Sequence, residues 1–336
     1  MSALQTQPGN QEFIVDQYFS VQHSIASRWS KSGLSSLLTI IWLAVAGIAC
    51  GQENQDVIEG EPANSEGQVM IAEPDGSKLR MLTNLKDYVF QGSPEWSRDG
   101  KVVAFDCRFL GMNNNPGSRI AVVNADGTNP RVLGDGMMPS LSPLGNRVAF
   151  SRIGKSVWIQ SLSDPAAEPS LLDARGWGTA WSPDGTRIAY ATGGLMVYDV
   201  IEGTKTAVFS SDNSVFSGVY WNFAWSPDSR QIAFKSQFKG KSVLGIVDAR
   251  GFEYGHKIRY EGDLLPTIAW NPDGKQILIA AACPERNNLP QIYSVDVETY
   301  DPPKRLPGQA ANRQLEDMSF SPDGLKLAIM GMPVKK

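Results

Sequence analysis

The residues of this chain that could carry out chemistry are few. Three carboxylates, Asp263, Glu316 and Asp317, fall just before copies of a recurring motif, and paired carboxylates can hydrolyse glycosidic bonds. His256 is the one histidine outside the first fifty residues, and a lone histidine cannot form a zinc site. No D-x-D-x-D-G calcium loop occurs. We therefore expect no metal, no cofactor and no catalytic residue, and keep a carbohydrate-directed hydrolase or lyase using the three carboxylates as the alternative.

Two tryptophans occupy matching places in the sequence. Trp177 and Trp221 each lie four residues before the aromatic residue that opens a motif copy. Aromatic and arginine side chains anchor protein interfaces, so the two indoles could share one binding patch. A second interpretation stays open, in which both rings are packed between neighbouring units. The motif tryptophans themselves are expected in the core: Trp96, Trp181, Trp225 and Trp270.

The elements that must position these residues come from a motif that the chain repeats six times. The copy "WSPDGTRIAY" begins at Trp181, and the others begin at Trp96, Leu141, Trp225, Trp270 and Phe320. Successive copies are 45, 40, 44, 45 and 50 residues apart, which is the period of four-stranded propeller blades. Ser-Pro-Asp-Gly forms a hairpin turn. The apolar run after it, with a small Ala between large side chains, predicts a strand covered on both faces.

A second strand-turn-strand element alternates with the motif. It first appears at Val69–Thr83, whereas the ordered region ends with a motif copy at Phe320. Each end of the chain thus holds half a unit, and pairing the halves removes exposed sheet edges. We predict an all-β fold over residues 67–331, a six-bladed β-propeller of four-stranded blades closed by pairing N-terminal with C-terminal strands, followed by a tail at 332–336.

Copies of W-S-P-D-G followed by I-A-F, alternating with hairpins such as "ADGTNPRVL", resemble the WD40-like repeats of the TolB C-terminal propeller family. The resemblance covers nearly all of residues 67–331 and implies the fold. TolB proteins also carry an α/β domain before the propeller, for which residues 51–66 leave no space. The α/β-hydrolase domain of oligopeptidases with related propellers is also missing. A role in a Tol-Pal type envelope complex is therefore not expected.

The first fifty residues predict export. Arg28 and Lys31 precede a thirteen-residue apolar run, Leu37 to Ala49, which has the length of a signal-peptide core and is too short to span a bilayer. "GIAC" resembles a lipobox and makes Cys50 the lipidation candidate. Cleavage after "AVA", at Ala44 to Ala46, and an uncleaved anchor remain open. We expect a periplasmic protein or a membrane-anchored lipoprotein facing the periplasm or exterior.

The composition limits the partners. Residues 51–66 contain five acids and no base, so they predict a flexible acidic linker. The net charge is −4 with a pI near 5.4 and no basic stripe, so nucleic-acid binding is not expected. Cys107 and Cys283 are expected to be buried free thiols, because their units are not neighbours in a six-membered ring.

These observations favour a non-enzymatic, monomeric binding protein of the cell envelope or periplasm, whose partner is an envelope protein or peptide. In a propeller the innermost strands line a central channel, and the residues entering those strands surround one of its mouths. The candidate binding residues at that mouth are Arg175, Trp177, Tyr220, Trp221, Asp263, Arg313, Glu316 and Asp317.

Overall fold

The computed structural model describes residues 58, 65–109, 117–164, 166–210, 212 and 214–334. Within these ranges 24 strands form six four-stranded antiparallel sheets. The predicted signal segment with Cys50 lies outside the described residues, as does most of the predicted linker. In the described part of the chain, no helix is long and apolar enough to cross a membrane.

The strands follow one another blade by blade. The chain starts with β1 (Gln68–Ala72) and β2 (Arg80–Met81). Blade 1 contains β3 (Tyr88–Trp96), β4 (Val102–Phe109), β5 (Arg119–Asn124) and β6 (Arg131–Asp135). Blade 2 contains β7 (Met137–Leu141), β8 (Arg147–Arg152), β9 (Ser156–Ser161) and β10 (Ser170–Asp173). Blade 3 contains β11 (Trp177–Trp181), β12 (Arg187–Ala191), β13 (Gly194–Asp199) and β14 (Lys205–Ser210).

The second half of the ring repeats this order. Blade 4 contains β15 (Val219–Trp225), β16 (Gln231–Phe238), β17 (Lys241–Asp248) and β18 (His256–Glu261). Blade 5 contains β19 (Leu264–Trp270), β20 (Gln276–Cys283), β21 (Leu289–Asp296) and β22 (Lys304–Arg305). Blade 6 combines β23 (Arg313–Phe320) and β24 (Leu327–Pro333) with β1 and β2.

The closing sheet joins the two ends of the described chain. Its strand order is β2-β1-β24-β23, and β1 pairs antiparallel with β24 from Gln68 opposite Gly331 to Ala72 opposite Leu327. The predicted six-bladed propeller and its closure by N-terminal and C-terminal strands are therefore confirmed.

The repeated turn is held by its own side chains. In blade 3 the Ser182 hydroxyl donates to Asp184 Oδ1 at 2.6 Å and accepts the Arg187 amide at 2.9 Å. Gly185 then takes a φ of +78°, which glycine adopts without steric penalty. Each turn of this kind fixes the end of an innermost strand to the start of the second strand.

The core is divided into six apolar layers, one between each pair of neighbouring blades. The two faces of a second strand enter different layers: Phe105 packs against Val69 and Ile71 of blade 6, whereas Ala104 packs against Val148 and Phe150 of blade 2. The residues in the place of Ala104 are Ala149, Ala189, Ala233, Leu278 and Ala328, all buried. A small residue on one blade thus receives large residues of the next, as the sequence predicted.

Two smaller expectations concern single residues. Cys107 and Cys283 are both buried and free, as predicted. His256 is the first residue of β18, and its ring stacks on Phe252 with centroids 3.7 Å apart. The described structure therefore gives His256 a packing role on a blade edge.

The layers leave little room for larger side chains at the alanine positions. We expect Ala149→Leu to destabilise the fold by about 1 to 3 kcal/mol, because the added atoms would meet Ile188 and Tyr190 in a filled layer. Denaturant unfolding measures this change. Ala174→Leu makes the same substitution at an exposed residue and should stay within about 0.5 kcal/mol of the parent; equal effects of the two variants would contradict the layer model.

Candidate binding site

The six innermost strands, β3, β7, β11, β15, β19 and β23, line the central channel, and each contacts the next around the ring. We call the mouth where these strands begin the N-terminal mouth and the one where they end the C-terminal mouth. The repeated turns follow the C-terminal mouth directly in sequence. Seven of the eight residues predicted from sequence belong to the opposite, N-terminal half of the strands or to the loops before them, and Asp317 is the fifth of the eight residues of β23.

The C-terminal mouth opens into a cavity of about 250 Å³ lined by all six blades. We call it the aromatic funnel. Its motif residues are Trp96, Leu141, Trp181, Trp225, Trp270 and Phe320, and its prolines are Pro143, Pro183, Pro227, Pro272 and Pro322. Trp181, Trp225 and Trp270 are buried, as expected for core residues, whereas Trp96, also expected in the core, is half-buried because one side of it faces this cavity. The three buried tryptophans also border this cavity, which sequence reasoning missed, although six equivalent positions on innermost strands must meet around the channel axis.

Three of the predicted residues reach the surface of the N-terminal mouth. Arg175 is exposed in the turn before β11, where its amide donates to Asp173 Oδ1 at 2.9 Å. Asp263 is exposed just before β19, and Tyr220 is half-buried. Burial lowers the pKa of Lys235 to about 8 against the opposing charge of Asp263, and the Lys235 ammonium lies 4.4 Å from the Tyr220 ring centroid. Tyr220, Lys235 and Asp263 thus form one cluster.

Trp177 and Trp221 are buried, with 8% and 2% of their surfaces exposed. They occupy equivalent places on β11 and β15, and the two strands approach closely at Gly178. Gly178 has a φ of +70°, and a Cβ added there would collide with the Trp221 carbonyl oxygen. Both tryptophans are therefore buried on strands that contact each other where blades 3 and 4 meet.

Arg313, Glu316 and Asp317 lie on β23 and are buried. The Arg313 carbonyl accepts the Gln291 side-chain amide at 2.9 Å. Asp317 stands at a bulge with a φ of +39°, and its Oδ2 accepts the Ser93 amide of blade 1 at 3.3 Å. This carboxylate therefore bonds across the seam where the ring closes.

Burial governs the ionisation of the seam carboxylates. It raises the pKa of Glu316 to about 8, with the charge of Asp317 adding to the effect. It likewise raises the pKa of Asp317 to about 7, where the charge of Asp106 adds and the Ser93 amide opposes. Burial also raises the pKa of Asp106, whose Oδ2 accepts the Met138 amide at 2.9 Å.

The carboxylates considered for glycoside hydrolysis do not form one group. Asp263 interacts with Lys235 on blade 4, whereas Glu316 and Asp317 interact with each other and with the seam. In the described ranges, no cluster of three or more His, Cys, Asp or Glu side chains could hold a metal ion. The arrangement supports structural roles for Glu316 and Asp317.

The raised pKa values predict a pH dependence of stability. The unfolded chain ionises these carboxylates near pH 4, whereas the folded chain keeps them protonated up to pH 7 to 8. Folding stability from these groups is therefore greatest below about pH 4 and falls as the pH rises towards 8. We expect the Glu316→Gln, Asp317→Asn double variant to gain Tm over the parent progressively between pH 5 and pH 8, by a few degrees.

Thermal melts at several pH values measure this gain. Asp263→Asn is the control, because its carboxylate is exposed at the same mouth. A double variant that melts in parallel with the parent at every pH would contradict the burial of ionisable carboxyls in the seam.

The close approach at Gly178 gives a second prediction. Gly178→Ala should destabilise the fold by about 2 kcal/mol or more, because the Cβ meets a backbone oxygen at a positive φ. Gly240→Ala is a matched control, since Gly240 has a φ of +78° with nothing within 4 Å, and we expect it to lose about 1 kcal/mol. Denaturant unfolding compares the two variants. Equal losses of unfolding free energy would contradict the close contact between Gly178 and the Trp221 carbonyl.

Comparison with solved structures shows that the chain has the fold of TolB-like six-bladed propellers. A protein assigned as TolB from Agrobacterium tumefaciens superposes with a TM-score of 0.57 and 19% identity over 80% of this chain and 99% of that chain. TolB from Acinetobacter baumannii gives 0.52 and 18%, over 83% of this chain and 66% of that one. Hydrazine synthase from Kuenenia stuttgartiensis gives 0.50 and 17%, over 70% and 72%.

These identities show the fold alone. The chain matches no family model and no curated protein sequence. The function must therefore be argued from its own residues.

Proposed function

We propose that this TolB-like propeller is a non-enzymatic, exported binding protein of the cell envelope or periplasm, whose partner is an envelope protein or peptide. The observation that carries the proposal is the aromatic funnel. It is an open cavity with apolar or aromatic residues from all six blades. Concave sites lined by apolar and aromatic side chains with a few polar groups are typical of pockets that enclose a ligand or a ligand's side chain.

Export is supported by the sequence before the propeller. The apolar run Leu37 to Ala49 and the lipobox-like "GIAC" ending at Cys50 are features of secreted or lipidated precursors. Lipidation of Cys50 would tether a monomeric propeller to a membrane through the acidic segment 51–66, and cleavage near Ala46 would release it.

The chemistry of the N-terminal mouth favours binding over catalysis. Glu316 and Asp317, two of the three carboxylates considered for a carbohydrate-directed enzyme, are buried, and Asp317 accepts the Ser93 amide across the blade seam, whereas Asp263 is exposed beside Lys235. The partner-binding face that we propose is the funnel. Arg175, Tyr220 and Asp263, the predicted residues that reach the surface, make the N-terminal mouth the competing face.

Substitutions on the two faces test this proposal. Leu141 shows that the ring accepts leucine at a motif position, so leucine is the replacement used in Trp96→Leu with Trp270→Leu. Because both rings also pack against core layers, a thermal melt first establishes that the double variant is folded. We expect this double variant to weaken binding to the partner by more than about tenfold, or 1.4 kcal/mol, because the funnel loses two aromatic walls. The partner is first captured from envelope extract and identified, and its affinity is then measured by calorimetry.

The matched control is Arg175→Ala with Asp263→Asn, which changes exposed residues of the other mouth. Loss of binding in the control with full binding in the funnel variant would transfer the site to the N-terminal mouth. Full binding in both variants would refute a channel-mouth site. Turnover of polysaccharides or glycosides by the purified parent protein would refute the non-enzymatic proposal.

A further inference from the structure

At the position just before the motif residue, blade 1 has an ionisable side chain where the other blades have small residues. Glu95 precedes the motif residue Trp96 and lines the cavity. The residues in the same place on the other innermost strands are Ser140, Ala180, Ala224, Ala269 and Ser319. Five blades thus show that the repeat needs only a small side chain at this position. The packing of the repeat therefore does not require the carboxylate of Glu95.

This carboxylate has no partner within the described structure. Glu95 is half-buried on β3, and among the described residues its side chain makes no hydrogen bond and no ion pair. Burial alone raises its pKa to about 7. A partly desolvated carboxylate without a compensating group is unfavourable unless a cation or a donor meets it. The part of the funnel beside Glu95 therefore favours a positively charged group.

The aromatic rings of the funnel divide into two groups. The Arg147 guanidinium lies 5.1 Å from the Trp181 ring centroid, and that of Arg187 lies 5.0 Å from the Trp225 ring centroid. Each arginine comes from the blade before the tryptophan that it covers. The chain itself thus places cations over the funnel rings of blades 3 and 4.

No such cation covers the funnel rings of the next three blades within the described residues. The places equivalent to Arg187 are Gln231 before Trp270 and Gln276 before Phe320. In blade 6 the place is taken by Lys326, whose ammonium instead donates to Glu73 Oε1 at 2.7 Å. Trp270, Phe320 and Trp96 lie in consecutive blades, and the free carboxylate follows on the same strand as Trp96.

We propose that this half of the funnel binds a lysine side chain presented by the partner polypeptide. The four-carbon stem would pack on the prolines of the wall, and the ammonium would meet the ring faces of Trp270, Phe320 and Trp96 and the carboxylate of Glu95. A cavity of about 250 Å³ holds one long side chain. The net charge of −4 also favours a basic partner. The inference rests on the proposed function, since it names what the funnel takes from the partner.

The proposal includes a pH dependence with a defined sign. Below pH 7 Glu95 is increasingly protonated and attracts a cation less, so affinity for lysine should rise between pH 6 and pH 8. Arg98 also borders the cavity and is exposed, and the pH range lies far from the region where arginine side chains titrate. The rise is therefore assigned to Glu95.

Short peptides test the inference without the natural partner. The probes are acetylated, amidated Gly-Lys-Gly and its norleucine analogue, which keeps the stem and lacks the charge, together with butylammonium as the free amine. Binding to the full chain is followed by NMR shifts of the indole N–H groups, assigned with Trp96→Leu and Trp270→Leu. We expect the lysine peptide to bind about tenfold more tightly than the norleucine peptide at pH 8, with the difference shrinking at pH 6.

Glu95→Gln should remove most of this preference while keeping the size of the side chain, and it relieves a buried charge, so the variant should fold. Glu298→Gln, at an exposed turn, is the control and should bind like the parent. Equal binding of the lysine and norleucine peptides to the parent, or a preference that does not change with pH, would overturn the inference. Butylammonium binding as tightly as the lysine peptide would assign the site to free amines and also overturn it.

Failure of this inference is distinguishable from failure of the proposed function. If partner binding depends on Trp96 and Trp270 but not on Glu95, the funnel is the binding face and the lysine assignment is wrong. If the lysine preference is found but partner binding survives the loss of both tryptophans, the proposed function fails.

Discussion

The packing of a small residue against large ones in the layer between blades is the interaction on which the rest of this structure depends. Ala104, Ala149 and their equivalents let the Val, Ile, Phe and Tyr side chains of the following blade approach the sheet. Every layer packs one blade against the next in the same way, so each blade is oriented on its neighbour as the preceding one is. Six blades complete the ring. Leu278 of blade 5 shows that the fit adapts to a larger residue when its neighbours change.

The ring gives its two mouths different chemistry. Three residues before the motif residue, the innermost strands of blades 1, 2 and 6 take positive φ values, at Ser93, Met138 and Asp317, and polar groups there bond across blade boundaries. The carboxylates of Asp106 and Asp317 accept backbone amides of the neighbouring blade. At the C-terminal mouth four of the six strands end in a turn in which a Ser hydroxyl donates to an Asp carboxylate, and an Asn side chain takes part instead in the turns of blades 2 and 5. The channel-facing residues at that end are left open to a cavity.

The fold was predictable from the sequence because its signals are local and repeated. The Ser-Pro-Asp-Gly turn and the apolar run after it lie within ten residues, and the half units at the two ends indicate closure. The residues around the channel were harder to place. Glu316 was expected near a strand start, but β23 begins at Arg313 and carries Glu316 into a buried position. A bulge changes which way a side chain points, and no local sequence pattern predicted the bulge between Glu316 and Met318.

The positions of the tryptophans could likewise be predicted only in part from the sequence. Burial of the motif residue Trp181 was predictable from its repetition, but its position on a cavity wall depends on six strands meeting around an axis. Glu95 carried a readable signal, since it is the one charged residue among small equivalents. That signal becomes meaningful only once the aligned blades show that the position faces the funnel.

Closure by β1 and β24 also sets the order in which the molecule can be made. Strand β1, near the start of the described chain, cannot pair until β24 has been synthesised about 260 residues later. During synthesis five blades can stack while the sixth stays incomplete, with the edge of β1 unpaired until β24 is available. A nascent chain passing through a membrane would cross it before the ring could shut. The shape of the finished channel, and any ligand that needs all six walls, therefore becomes available in a single final step.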